Sequence, residues 1–270
     1  MLKTRIYTVL VLLPLFVAAL FYLPVVFWAL FLVPLMLIGA WEWGTLAGWR
    51  IPGRIVYVIV MAVLSILLWH FGYHNDHGVA WVSPAVLGFA LLFWTVVAPL
   101  WLAKAWRVRA PLMLAVTGTL VLIPLWWALI LLQMQPMQLL VLMAIVWISD
   151  TAAYLCGRRW GRRKLAVTIS PGKTWEGVLG ALLAVSTYYA LVSLAGFTEH
   201  GALQGVTGFA VFVLLAVLGM EGDLFESWIK RTAGMKDSGT IFPGHGGVLD
   251  RIDALSSSVP VAALMLGGIT

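Results

Sequence analysis

Long apolar stretches dominate this chain, and they are separated by short polar or basic segments. A membrane-spanning helix needs about 20 largely apolar residues. Stretches of that kind lie near 6–22, 23–41, 55–72, 79–102, 110–132, 137–156, 175–197, 205–225 and 254–270. They predict an all-α, polytopic integral membrane protein with about nine transmembrane helices. Pro14, Pro24 and Pro34 interrupt the first two stretches, which predicts a Pro-kinked hairpin there. Lys3 and Arg5 ahead of an apolar run also fit a signal peptide, but no Ala-x-Ala site follows. The first segment is therefore read as a retained span. The last span is short and stops at Gly267-Gly268-Ile269-Thr270, as a trimmed C-terminus would.

Composition agrees. Of 270 residues, 62% are hydrophobic and 10% charged, against about 25% charged in a soluble domain. That leaves too few polar side chains to clothe a water-facing surface. The net charge of +6 does not indicate a nucleic-acid partner, because the basic residues sit in short clusters between apolar runs. All 17 Lys and Arg fall at the N-terminus or after the second, fourth, sixth and eighth stretches. The intervening loops near 73–78, 133–136 and 198–204 carry none. Cytoplasmic loops are the basic ones, so the N-terminus is placed inside and the C-terminus outside. The expected location is the cell's inner (plasma) membrane. The single cysteine, Cys156, excludes an intrachain disulfide and reads as a packing residue.

Most of the 11 acidic residues lie late in the chain. Asp150 lies near the end of the sixth span and Glu176 at the start of the seventh. Glu221, Asp223 and Glu226 close the eighth, and Asp237, Asp250 and Asp253 follow. Acids at membrane depth are costly and mark polar cavities. Asp250 and Asp253 are three apart, on one face of a helix. Two carboxylates there repel unless a cation separates them, and hard oxygen ligands suit Mg²⁺. With Asp223 converging from the preceding helix, a metal site is preferred over simple helix capping.

Lys236-Asp237-Ser238-Gly239 through Gly244-His245-Gly246-Gly247 is rich in glycine and flanked by Lys230, Arg231 and Arg251. Flexible backbone beside cations can cradle a polyphosphate, and His245 could donate to it. Ser149 to Tyr154, a basic stretch, and Ser170 to Gly177 form a second cluster, read as a loop before the seventh span. In it Lys173 follows a Pro171-Gly172 turn at a helix start, which favours anions. Lys173 and Lys230 are read as lone cations whose loss would weaken phosphate binding and spare the fold. Arg158, Arg159, Arg162, Arg163 and Lys164 read as orientation charges or contacts to anionic headgroups.

Ser227-Trp228-Ile229-Lys230-Arg231, Lys236-Asp237-Ser238-Gly239 and Pro243 to Asp253 together resemble the signature of phosphatidate cytidylyltransferases, also called CDP-diglyceride synthases. Ser149–Tyr154 and Ser170–Gly177 are similar to that family as well. The N-terminal half, 1–135, matches only in general character, so the catalytic region is placed in 136–270 around the signature 227–253. The resemblance implies transfer of CMP from CTP to phosphatidic acid at the cytoplasmic face, with Mg²⁺ and room for a second cation. It implies metal ligation by Asp223, Asp250 and Asp253, with Lys230 and Arg231 beside them. Substrate contacts are expected from Lys173, Lys236, Asp237, His245, Gly246, Gly247, Arg251, Asp150, Ser170 and Glu176. Partners are then CTP, phosphatidic acid, membrane lipids and a second copy of the chain as a candidate homodimer. The rival class is a multi-span cation-coupled transporter. It predicts acids spread along a pathway, and no internal repeat supports it.

Overall fold

The structure is a computed structural model that describes residues 2–73, 81–198, 203–241 and 246–266. Each predicted span coincides with helix. The elements are α1 (Leu2–Tyr22), α2 (Val25–Leu46), α3 (Ile51–Gly72), α4 (Val82–Leu92), α5 (Ala98–Ala103), α6 (Pro111–Leu132), α7 (Pro136–Trp160), α8 (Trp175–Leu194), α9 (Gly205–Thr232) and α10 (Leu249–Met265). A π turn, Phe93–Val97, joins α4 and α5 into one span. Pro99 follows it and has no N–H to return to the preceding turn. Pro52, Pro111 and Pro136 open their helices where a missing N–H costs nothing. Pro14 and Pro34 lie inside α1 and α2, and the break between the two falls at Leu23-Pro24.

Seven of these spans are long and apolar enough to cross a membrane: α2, α3, the α4–α5 unit, α6, α7, α8 and α9. The chain is thus a multi-pass membrane protein. The described apolar stretch of α1 is Leu13–Tyr22, and α10, with 17 residues, falls short of that length. The α10 helix is central instead. Ala254 through Ala263 are all buried against α9, α6, α4 and α7. Its serines are satisfied, with Ser257 Oγ donating across to Leu218 O of α9 at 2.7 Å and Ser258 Oγ to Ala254 O in its own helix at 2.8 Å.

One element departs from the all-helical expectation. Residues 161–174 form an antiparallel hairpin, β1 (Lys164–Ala166) with β2 (Ser170–Thr174). The segment Ser149–Tyr154, read as loop, is also helical, because α7 runs on to Trp160.

Three contacts bring the basic loops to one end of the bundle. Trp228 Nε1 donates to Trp106 O at 2.9 Å, Arg231 Nε to Ile169 O at 3.4 Å and Ser238 Oγ to Glu42 at 3.0 Å. These tie together the ends of α2, α5, α7 and α9, the same loops whose charges alternate in the sequence.

Candidate active site

At this end of the bundle lies a cavity of about 820 Å³. One wall is a stripe along α7, formed by Asp150, Ala153, Tyr154, Gly157 and Arg158. Their three-to-four spacing puts them on one helical face. The hairpin supplies Lys164, Ser170, Gly172 and Lys173, and α9 and α10 supply Asp223, Asp250, Arg251 and Asp253. Glycines let α7 and α8 close on each other. A Cβ on Gly177 would meet Ala153 O at 2.8 Å, and one on Gly180 would strike Cys156. Close approach through small residues is how helices associate where lipid replaces water.

Gly222 performs the same task between α9 and α10. Any Cβ there would collide with the Asp253 carbonyl and Ser257 Oγ. The two helices therefore meet backbone to backbone, and Asp253 lies within electrostatic reach of Asp223, Glu226 and Asp150. Lys173 Nζ sits 2.7 Å from Asp223 Oδ2 and 3.3 Å from Met220 O, while Ser227 Oγ donates to Asp223 Oδ1 at 3.3 Å. Lys173 is thus not a lone cation at a helix start. It lies in β2, ion-paired, and Thr174 caps α8 by accepting from Gly177 N at 3.1 Å.

Lys230 departs further from expectation. Its ammonium lies between Glu226 and Asp250, at 2.5 Å from Asp250 Oδ1, and its side chain is only 12% exposed. Asp250 Oδ2 accepts from Ser238 N at 2.9 Å, Ser238 Oγ at 2.9 Å and Gly247 N at 2.8 Å. Asp250 therefore clamps both ends of the signature loop. Removing one member of such a buried pair costs about 3–5 kcal/mol, because the partner charge is stranded. Lys230→Ala is expected to lower thermal stability by that order, contrary to a purely phosphate-binding role. Adding Glu226→Gln should recover part of the loss, and scanning fluorimetry in detergent measures both. An unchanged melting temperature for Lys230→Ala would reject the clamp.

The side chain that sequence reasoning missed is Glu42, near the end of α2. It is 3% exposed, yet carries a carboxylate. Its oxygens accept from Val248 N at 3.0 Å, Leu249 N at 2.9 Å and Ser238 Oγ at 3.0 Å. The first two donors open α10, where the helix dipole also favours an anion. Gly239 and Gly247 press against this carboxylate so closely that a Cβ on either would overlap it. Gly239 and Gly247 thus answer to Glu42, with Gly246 (φ 83°) against Asp250 Oδ2. The available signal was cost alone: a charge beside an apolar span needs a partner.

The remaining predicted residues divide. Ser170, Asp237 and Arg251 line the cavity. Lys236 is exposed and is not part of its wall. Glu176 accepts from Arg162 N at 3.0 Å and Arg163 N at 3.2 Å, so it braces the turn into the hairpin. Arg231 points at the carbonyls of Ile169 and Met235, at 3.4 and 3.5 Å. His245 lies outside the described residues. Among the described residues, no three Asp, Glu, His or Cys side chains form a ready-made cage for an ion.

An open cavity lined by carboxylates and cations together, on a multi-pass helical scaffold, is suited to phosphate chemistry. Residues 3–268 match the sequence profile of the cytidylyltransferase family. The chain is 39% identical over 280 aligned positions to a phosphatidate cytidylyltransferase of Pseudomonas aeruginosa, covering 98% of this chain and 97% of that one. It is 34% identical to the phosphatidate cytidylyltransferase of Haemophilus influenzae, with 96% of both chains covered. Over 124 residues it is 48% identical to that of Brucella melitensis, covering 46% of this chain and 43% of the relative. The chain belongs to the cytidylyltransferase family.

Proposed function

We propose that this protein transfers CMP from CTP to phosphatidic acid, yielding CDP-diacylglycerol and pyrophosphate. The observation that carries the reading is the cavity, which sets acids and cations together at one end of the bundle, in a chain of this family. A phosphate oxygen of phosphatidate attacks the α-phosphorus of CTP, the bond from that phosphorus to the bridging oxygen breaks, and pyrophosphate leaves with the electron pair. The nucleophile is already an anion, so no general base is required. The difficulty is to bring two anions together and release a third. Lys173 can exchange Asp223 for a phosphate oxygen, and Arg251 adds a further positive charge to the cavity wall.

Mg²⁺ is the proposed cofactor, with room for a second cation. The residues fit it. The donors are hard carboxylate oxygens lining the cavity, and among the described residues Asp253 has no ion pair. Mg²⁺ is usually held by one or two carboxylates plus substrate phosphates, so a complete protein cage is not needed. Asp223, Asp250 and Asp253 would hold it. When bound, it would neutralise charge on the triphosphate and on the leaving pyrophosphate.

The proposed orientation puts the cavity at the cytoplasmic face of the inner membrane, supported by the alternation of basic loops. CTP is soluble and phosphatidate is fixed in the leaflet, so a site at that boundary serves both. A cation-coupled transporter is disfavoured because the acids converge at one end. Pyrophosphate release by purified protein with phosphatidic acid is the test. CTP should support release that a chelator abolishes, and ATP, GTP or UTP should not. Comparable release with ATP, or none with CTP, would overturn the reading. Orientation is checked in a Cys156→Ala background, where Arg159→Cys should resist an impermeant thiol reagent applied to intact cells.

A further inference from the structure

We propose that Arg158 and Lys164 form the seat for the phosphomonoester headgroup of the lipid substrate, on the side of the cavity bounded by the end of α7 and the hairpin. The inference rests on the reaction proposed above and assigns its lipid subsite. Five basic residues crowd positions 158–164, and sequence gives no ground to separate them. The structure does. Arg158 and Lys164 line the cavity, and Arg159, Arg162 and Arg163 do not.

The cations of the cavity wall also differ in state. Lys173 and Lys230 are occupied by carboxylates. Among the described residues, neither Arg158 nor Lys164 has an ion pair, and Arg158 Nη1 meets only the neutral Tyr154 hydroxyl, at 3.0 Å. Unpaired cations are the ones free to take an anion. Arg251 is likewise unpaired, but it sits on α10, within electrostatic reach of Asp150 at the acidic end of the cavity.

Apolar surroundings decide which anion. Tyr154, Leu155, Trp160, Val167 and Trp175 are all large and more than half exposed, and they lie along the end of α7, the hairpin and the start of α8, the segments that carry Arg158 and Lys164. Tyr and Trp favour the membrane–water boundary, where an apolar ring and a polar edge are both satisfied. A headgroup phosphate lies at that level with its acyl chains beside it. A guanidinium grips a phosphate through two parallel hydrogen bonds, and a phosphomonoester offers a third free oxygen and a second negative charge that a diester lipid lacks, for Lys164 to meet. Position completes the case. Arg158 is eight residues beyond Asp150 on the same face of α7, about 12 Å along the axis. A lipid phosphate seated there lies within the same cavity as the acidic group.

The test uses the intact protein in neutral detergent, with dioctanoyl phosphatidate as the probe. KM for phosphatidate and for CTP are measured by turnover, and phosphatidate Kd by calorimetry. The Arg158→Ala/Lys164→Ala double variant should raise both phosphatidate constants at least ~10-fold and leave KM for CTP within ~2-fold. Arg158→Lys should fall between, since it keeps charge and loses the fork. Arg159→Ala should match the parent. Inorganic phosphate and dioctanoyl phosphatidylglycerol should compete poorly. Unchanged phosphatidate constants, a rise confined to CTP, or equal competition by inorganic phosphate would each overturn the seat. If the parent protein makes no CDP-diacylglycerol yet binds phosphatidate through Arg158, the proposed reaction fails and the lipid seat stands.

Discussion

Glu42→Ala is expected to cut turnover and to lower thermal stability together. Three buried donors, Ser238 Oγ, Val248 N and Leu249 N, converge on that carboxylate. Each buried donor left without an acceptor costs about 1–3 kcal/mol. Water cannot easily replace the carboxylate, because Gly239 and Gly247 pack directly against it. Ser238 links the effect to the site. Its hydroxyl lies 3.0 Å from Glu42 and 2.9 Å from Asp250, and its single proton can serve only one of them at a time. Loss of Glu42 should therefore loosen Asp250 and the start of α10, with turnover falling on the order of 100-fold, about 2.7 kcal/mol of transition-state stabilisation. Glu42→Gln keeps one acceptor oxygen but turns an NH₂ toward donors, so its loss should be smaller. Turnover and fluorimetry on the same preparations check this. Glu42→Ala with parental values of both would show that the loop is set by other contacts.

That expectation also marks where sequence reading ends. Spans, helical class and the alternation of loops were legible because stretch length and charge placement are local properties. The hairpin was not. Its strands have three and five residues, too few for an alternating pattern to stand out from a basic loop. The end of α7 was misjudged because the helix continues to Trp160 after its apolar character stops near Cys156. The signature residues were found by resemblance, but their partners were not. Glu42 sits 196 positions from Ser238, and Lys173 sits 50 from Asp223. No spacing rule joins such pairs. The glycines of the loop were assigned to a polyphosphate on the general ground that glycine lets ligands approach. The structure supplies a nearer occupant, the carboxylates of Glu42 and Asp250. Lys230 shows the same limit, since a lysine beside a glycine-rich loop looks free until its two acids are seen.

Asp253→Asn is expected to cut turnover by at least ~100-fold while leaving the protein as stable as the parent, or slightly more so, in the absence of Mg²⁺. The opposite signs follow from the surroundings. Asp253 Oδ1 accepts from Ala254 N at 2.8 Å, and an asparagine carbonyl oxygen can accept the same bond. No ion pair holds Asp253 among the described residues, while Asp223, Glu226 and Asp150 all crowd it with like charge. Removing its charge relieves that repulsion. A Mg²⁺ ligand, by contrast, cannot be neutral at no cost, because an amide oxygen holds a hard dication much less tightly than a carboxylate. Mg²⁺ should therefore raise the melting temperature of the parent by mass action and raise that of the variant less. Asp250→Asn provides the contrast. Both of its oxygens already accept from protein donors, so its loss of activity should come with loss of stability. Unfolding with and without Mg²⁺, alongside turnover at limiting Mg²⁺, separates the two cases. Near-normal turnover of Asp253→Asn, or turnover lost together with stability, would return Asp253 to a structural role at the start of α10.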